Sequence, residues 1–342
     1  MLKSMLRACI EGKTMNATEA EQTMDEIMTG QATPSQIASL LTVLRFRGET
    51  VDEVTGFAKS MRRHLVKIEH NYEQLVDTCG TGGDELGTFN ISTTAALALA
   101  AIGIRVAKHG NRAVSSTSGS ADVLEHLGIE IQHSPKAAAQ SLANNKLCFL
   151  FAPLYHQSMK HAVAPRKEIG FRTIFNMLGP LTNPAKARHQ LIGVSDARFA
   201  EKMAEALQRL GTEHTLFVTG ENGLDECSIT GETIVIEVRG DERFRYSLTP
   251  EEVGLRRGTL SDIQVNSPRE SAALVERVLK GEANASAQSI VAYNAGAALY
   301  AADRASSIKE GVVVIQEAIT SGQVFEFYQQ LKTAEKETEQ HA

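Results

Sequence analysis

Two adjacent acids, Asp225 and Glu226 in the run GLDECS, follow a glycine and the apolar run TLFVTG. Neighbouring carboxylates on a loop are most often solvated turn residues. They are also what Mg²⁺ takes from a protein when phosphate oxygens and water complete its shell. The choice turns on whether the chain offers phosphate sites elsewhere. No Cys/His cluster accompanies the pair, so Zn²⁺ is not indicated.

Two segments could hold phosphate. DTCGTGGDELGTFNIS, Asp77 to Ser92, carries Gly80, Gly82, Gly83 and Gly87, but lacks the Gly-Lys-Ser/Thr ending of a P-loop and has Glu85 where a dinucleotide fingerprint needs glycine. Glycines let backbone N–H groups approach an anion. Asn90, Ser92, Thr93 and Thr94 then open an alanine-rich helix, whose unpaired donors and positive dipole end suit phosphate. A tight turn capped by Asn90 or Ser92 is the plainer alternative. The second segment, AKHGNRAVSSTSGSAD, sets Lys108, His109 and Arg112 beside the hydroxyls of Ser115, Ser116, Thr117, Ser118 and Ser120, ahead of another helix. It could instead be a linker whose Ser120 caps that helix. Two such sites in succession suggest a ligand with two separated phosphate groups.

A fourth segment, FAPLYHQSMKHAVAPRKEIGFRTIFNMLGPLTNPA, alternates His156, Lys160, His161, Arg166, Lys167 and Arg172 with apolar residues, and NMLGPLTNP interrupts any helix. An arginine between apolar walls would suit a small aromatic carboxylate. A surface amphipathic helix with ordinary cations fits these residues equally well.

The elements that must position these loops fall into two groups. Residues 1 to about 70 read as four short helices: Leu2, Met5, Leu6, Cys9 and Ile10 follow helical spacing, and Thr18/Glu21 and Thr50/Glu53 form capping-box patterns. Thr33-Pro34 opens the third helix, which Gly48 closes. From about Leu75, short β-type runs (QLVDTC, IRVAKHG, KLCFLFA, QLIGVS, HTLFVTG) alternate with helical ones, the signature of an α/β domain with a largely parallel sheet. IVIEVRGDERFRYSLTP looks antiparallel, and 267–336 is helical again. In such a sheet the ligands gather at the carboxyl ends of the strands.

Bulk properties narrow the class. At 342 residues, 42% hydrophobic and 22% charged, the chain is an ordinary soluble globular sequence. A formal net charge of -6 argues against a nucleic-acid binder. No run approaches a membrane span, and the opening helix is too interrupted by charge to be a signal peptide. Cys9, Cys79, Cys148 and Cys227 are scattered, so neither disulfides nor a metal cage is expected, and a reducing cytoplasm is the expected compartment.

Together the segments GTGGD, NISTT, KHGNRAVSSTSGSADVLEHLG, GFRTIFNMLGPLTNPA and GLDE resemble the anthranilate phosphoribosyltransferase family, in order and in separation, and the likeness covers nearly the whole chain. The resemblance implies a small all-helical domain, 1–71 with about 166–190 packing on it, and a larger α/β domain, 72–165 and 191–342, with a mostly parallel central sheet. It implies transfer of phosphoribose from 5-phosphoribosyl-1-pyrophosphate (PRPP) to anthranilate in tryptophan biosynthesis. By the same resemblance PRPP would be held by Gly80, Gly83, Asp84, Thr88, Asn90, Ile91, Ser92, Thr93, Lys108, His109, Gly110, Asn111, Arg112, Ala113, Val114, Ser115, Ser116 and Ser120. Anthranilate would meet Gly80, Asn111, His156, Arg166 and Gly179, and Ser92, Asp225 and Glu226 would ligate Mg²⁺, two ions per monomer. A homodimer through the helical domain is implied, with no catalytic base named. Two positions depart from the family pattern: Gln157-Ser158 stands where many relatives have Pro-Ala, and Thr219 where many have His. Both bear on the acceptor pocket. A pyrimidine nucleoside phosphorylase of the same fold is the main rival, since it would use phosphate and have no need of the acid pair.

Overall fold

A computed structural model describes residues 1–113 and 117–340, with side chains to residue 333. The chain opens with helices α1 (Leu2–Ile10), α2 (Ala17–Met28), α3 (Pro34–Arg47) and α4 (Val51–Arg63). The start of α2 differs from the sequence expectation. Asn16, not Thr18, is the cap: its side chain accepts from the Glu19 N–H while the Glu19 carboxylate accepts from the Asn16 N–H. Asn at the cap with Glu three residues on completes the reciprocal pair two residues earlier than Thr18/Glu21 would. Thr33/Gln36 and Thr50/Glu53 form the same box at α3 and α4.

The larger part runs β1 (Val76–Gly80), α5 (Ile91–Ala101), β2 (Val106–Gly110), α6 (Ser120–His126), α7 (Pro135–Asn144), β3 (Leu147–Phe151), α8 (Ala152–Tyr155), α9 (Lys160–Ile169) and α10 (Ile174–Leu178). It continues with β4 (His189–Gly193), α11 (Ala197–Leu210), β5 (His214–Gly220), β6 (Thr233–Arg239) and β7 (Glu242–Leu248), and closes with α12 (Pro268–Leu279), α13 (Ala285–Ala301), α14 (Ile308–Thr320) and α15 (Gln323–Gln340). The 153–184 segment is thus largely helical. Helix α10 runs through Asn176-Met177-Leu178, and only at Gly179-Pro180 does the chain leave it.

The seven strands lie in the order β3-β2-β1-β4-β5-β6-β7. The first five pair in parallel, and β6 and β7 close the edge as antiparallel strands. Strand order runs from β1 toward β3 on one side, then restarts at β4 on the other. Neighbouring loops at β1 and β4 therefore diverge and leave a crevice at their carboxyl ends. The register fixes its floor, with Gly80 facing Gly193.

Side chains alternate along the strands between two apolar layers. Leu191, Leu216 and Val218 join α5, α6 and α12–α15 on one face. Ile192, Phe217, Ile236 and Val238 join α11, α10 and the N-terminal helices on the other. One continuous core thus ties the N-terminal helical unit to the sheet through α11, which carries an apolar side of Ala200, Met203, Ala204 and Leu207. Among the described residues no helix is long and apolar enough to cross a membrane. All four cysteines are buried and unpaired.

The acid loop after β5 hangs from α13. Fully buried Asn294 accepts from the Cys227 N–H at 2.8 Å and donates to the Cys227 carbonyl at 3.1 Å. Replacing it with Ala strands both groups inside the protein, where each unpaired group costs about 1–3 kcal/mol. Asn294→Ala is therefore expected to lower the unfolding free energy by ~2–6 kcal/mol in urea titrations, and to reduce turnover more than an exposed control such as Gln316→Ala.

Candidate active site

The loops after β1, β2, β5 and β3 and the α9–α10 segment wall a single cleft of about 800 Å³ over the β1–β4 crevice. Gly80, Gly83, Asp84, Thr88, Asn90, Ile91, Ser92, Lys108, His109, Gly110, Asn111, Arg112, Ser120, His156, Arg166, Gly179, Asp225 and Glu226 all line it. Thr93 does not: one residue past Ser92 on α5 it turns about 100° away and, 1% exposed, faces the apolar layer below. Ala113 also lies off the wall, its N–H donating to Asp122. Val114, Ser115 and Ser116 lie outside the described residues.

Helix α5 begins at Asn90 with no side-chain cap. The Asn90 carboxamide is committed elsewhere, its Oδ1 accepting from Ser118 Oγ and Ser271 Oγ, each at 2.7 Å. Amides at the start of α5 are therefore left for other acceptors, and Glu226 Oε1 already takes the Ser92 N–H at 3.2 Å. Ser271, fully buried on α12, is a support that no motif marks in the sequence. The glycine loop is further held by a strap in which Phe89 N–H donates to Ile263 O and Val265 N–H to Gly87 O.

Three carboxylates converge here. Asp225 Oδ2 accepts from the Gly82 N–H at 2.8 Å, and Asp84 Oδ1 from the Leu86 N–H at 3.2 Å, while Asp84 Oδ2 is buried with no hydrogen-bond donor among the described residues. Asp225 and Glu226 keep some contact with the cleft, but their carboxyls are ringed by protein. That enclosure, then the charge of Asp84, holds Asp225 above its usual range; enclosure and Asp225 do the same to Glu226. Approach is made possible by Gly193, where a methyl group would lie 1.6 Å from the Asp225 carbonyl oxygen.

Lys108 stands beneath them, 3% exposed, donating to Thr78 O at 2.5 Å and Ser92 Oγ at 3.2 Å. Because the ammonium donates to Ser92 Oγ, the hydroxyl hydrogen is free to point into the cleft. Arg112 is committed elsewhere, forming a fork on Glu125 and an ion pair with Asp122. These ion pairs hold its guanidinium at the rim of the cleft. Asp122 also accepts from the Ala113 and Gly119 N–H groups, so acids on α6 gather the ends of this loop.

The residues fit Mg²⁺. Among them no three His, Cys, Asp or Glu side chains form a ready metal cage. Burial and the crowding of Asp84, Asp225 and Glu226 nonetheless make protonation the resting escape of these acids, and a hard cation would take the place of those protons, with phosphate and water filling its shell.

The opposite end of the cleft is chemically different. The guanidinium of Arg166 lies 5.0 Å over the Phe175 ring, and among the described residues no carboxylate pairs with it. His109 and His156 stack with centroids 4.9 Å apart and Nε2 atoms 3.0 Å apart, each buried. Burial, and for His109 also the facing ring, push both well below the ordinary imidazole value, His156 to about 4. The pair is therefore neutral at pH 7, with one ring donating to the other. Gly179 and Pro180 close this wall. Lys160 lines the cleft, whereas His161 packs on the Gly30 turn. Of the two family departures, Gln157 lines the cleft, but Thr219 does not: its hydroxyl donates to Val194 O inside the sheet, so it has no bearing on an acceptor pocket.

The histidine pair has a readable pH signature. Its folded values lie below the unfolded one, so its contribution is complete above about pH 6.5 and is lost as the pH falls toward 4, where the unfolded chain binds more protons. The melting temperature of His156→Asn is expected to fall less steeply than that of the parent chain between these limits. Parallel curves would show that the pair does not titrate in this way.

Comparison with known proteins agrees with this arrangement. Residues 72–325 match the glycosyl transferase family α/β domain, and 3–65 its helical bundle domain. The chain is 65% identical over 342 residues to the anthranilate phosphoribosyltransferase of Halalkalibacterium halodurans, with both chains covered completely. It is 48% identical to that of Bacillus subtilis over 336 residues, 98% of this chain and 99% of the relative. The crystal structure of the Thermus thermophilus enzyme superposes with a TM-score of 0.90 at 41% identity, covering 96% of this chain and 98% of that one. The Saccharomyces cerevisiae enzyme in complex with PRPP and Mg superposes with a TM-score of 0.87 at 27% identity, covering 97% and 98%. With a glycine loop, a carboxylate cluster and an acceptor wall around one crevice, and with these relatives along its full length, the chain belongs to the anthranilate phosphoribosyltransferase family.

Proposed function

We infer that the chain transfers the 5-phosphoribosyl group of PRPP to the amine of anthranilate, releasing pyrophosphate, with each end of the cleft serving one substrate. The observation that carries the assignment of ends is the contrast between them. One end has uncapped helix amides, a buried lysine and crowded carboxyls; the other has an arginine that no carboxylate pairs with among the described residues, an aromatic ring and neutral imidazoles.

The pyrophosphate end lies against Ser92, Lys108 and the glycine-loop amides. Asp225, Glu226 and the Ser92 hydroxyl would hold Mg²⁺, two ions per chain with PRPP. The metal, when bound, supplies positive charge that offsets the charge gathering on pyrophosphate as the C1–O bond breaks. Lys108 adds a fixed cation behind Ser92, in place before the reaction and costing no reorganisation. Asp84 would accept from ribose hydroxyls or bound water.

The acceptor end positions a weak neutral nucleophile. Arg166 would fork the anthranilate carboxylate, with Phe175 behind the guanidinium fixing its plane. Gly179 leaves room for the ring, since nothing lies within 4 Å of where a side chain would start. The neutral histidine pair lets the amine approach without competing for its lone pair as a cation would. Holding the amine in line with the leaving group is then the main contribution of this half.

Assembly follows from surface chemistry. Phe46, Ile10 and Met1 are 94%, 70% and 54% exposed on the first and third helices, and Val163 adds 57% on α9. Ile10 continues the apolar spacing of α1 but is not covered by the chain's own core. Exposed apolar groups on packed helices are what a homodimer through the helical unit would bury. The cytoplasm is the proposed compartment.

Loss of anthranilate fluorescence tests the reaction: it is expected only when enzyme, PRPP and Mg²⁺ are all present, and a signal unchanged by PRPP would contradict it. Asp225→Asn with Glu226→Gln is expected to lower kcat/KM by ~10²–10³-fold and alter its Mg²⁺ dependence. Arg166→Ala should raise the KM for anthranilate ~10–100-fold, the value of a charged hydrogen bond; an effect confined to PRPP would reverse the assignment of ends. Phe46→Asp should shift the sedimentation coefficient from dimer to monomer.

A further inference from the structure

Arg172 has no place in the substrate contacts described so far. It lies on the turn between α9 and α10, behind the glycine loop and off the cleft wall. Its Nη1 donates to Gly83 O at 3.1 Å and Ser195 Oγ at 3.0 Å, and its Nη2 lies 3.5 Å from Thr81 O. The guanidinium rests against the α-carbon of Gly83: a methyl group there would be 2.4 Å from Arg172 Cζ. Gly83 thus serves a second purpose besides its left-handed φ of 75°, since only a residue without a side chain lets the guanidinium seat.

These contacts join three segments. Thr81 and Gly83 belong to the glycine loop after β1, Ser195 to the loop after β4, and Arg172 to the stretch between Arg166 and Gly179 on the acceptor wall. All three meet at the point where the strand order reverses. By fixing the loop carbonyls on its far side, the guanidinium helps set the orientation of the intervening peptides, and the Gly82 N–H among them donates to Asp225. Five donors in a rigid plane are needed to serve several acceptors at once, which a lysine cannot match.

We propose that Arg172 is a positioning residue that locks the phosphoribosyl-donor loop in register with the acceptor wall, so that PRPP and anthranilate meet in the reactive geometry. The proposal rests on the transferase reading above. It extends the reaction's machinery to a residue that touches neither substrate. Misplacement of reacting groups by about 1 Å can cost ~10²-fold in rate, so a small shift of this loop is enough to be measured.

The test compares the parent chain with Arg172→Met, which keeps the stem and removes the donors, and with Arg172→Lys, which keeps the charge. Arg172→Met is expected to raise the KM for PRPP and lower kcat by ~10-fold or more each, with a smaller change in the KM for anthranilate. Arg172→Lys should recover part of the loss. A merely structural arginine would lower the melting temperature of Arg172→Met and leave kcat and both KM values unchanged, and that result would overturn the proposal. Should Arg172→Met fail to fold, Ser195→Ala removes one anchor of the guanidinium; the KM for PRPP is then expected to rise about threefold, and an unchanged value would overturn the proposal. The parent chain, assayed alongside, separates the two claims. If it fails to consume anthranilate, the transferase reading fails, and PRPP–Mg²⁺ affinity by calorimetry still decides for Arg172: weaker binding in the variant supports it, equal binding refutes it.

Discussion

Asp84, Asp225 and Glu226 are held close together by the fold, in surroundings that disfavour their charged forms. Burying like charges is costly, and the usual escape is protonation or a partner. Among the described residues the partners within reach are the amides of Gly82, Leu86 and Ser92, with the cations of Lys108 below and Arg172 behind. The rest of the architecture can be understood as the means of keeping that cluster in place. The strand order puts the loops after β1, β4 and β5 side by side, Gly193 lets the acid loop lie against β4, and Asn294 suspends its far end from α13. Such a site stores unfavourable electrostatics that a cation and a polyanion together relieve. Binding then favours the charged complex over either component alone.

The acceptor wall is joined to this cluster by further buried polar groups. Asp77, fully buried on β1, accepts from the Asn183 side chain and the His109 N–H, which links the segment after α10 to β1 and β2. Arg62 at the end of α4 donates to the carbonyls of Leu181 and Leu210 at 2.8 and 3.1 Å, without a carboxylate among its hydrogen-bond partners, and burial lowers it to about 10. It thereby binds the helical unit, the Gly179 segment and the C-terminal end of α11, where a cation is favoured by the helix dipole. Rigid connections of this kind make the distance between the two substrate ends a property of the fold.

Much of the site was legible because its chemistry is local. Glycine runs, a Lys/Ser arm and paired acids mark themselves in the sequence by composition and by their place after β-type runs. The positions missed depend on partners distant in the chain. Ser271 is an ordinary helix serine until α12 is seen beside Asn90. Arg172 sat among other cations, and no spacing could say that it alone turns behind the glycine loop. The pairing of Arg112 with Glu125 was equally invisible, since it requires the loop to fold back onto α6. The cap of α2 is Asn16 rather than the expected Thr18, although each has a glutamate three residues on. Tertiary packing, here Ala20, Met24 and Ile27 turned into the core, chose between them.

The most direct measurement is anomalous diffraction from crystals soaked with PRPP and Mn²⁺ in place of Mg²⁺. The carboxylate cluster should place a manganese peak within bonding distance of Asp225 or Glu226, with pyrophosphate oxygens completing its shell against the start of α5. Manganese and PRPP found elsewhere, with residues 225 and 226 unchanged from the free protein, would contradict the central role of the cluster.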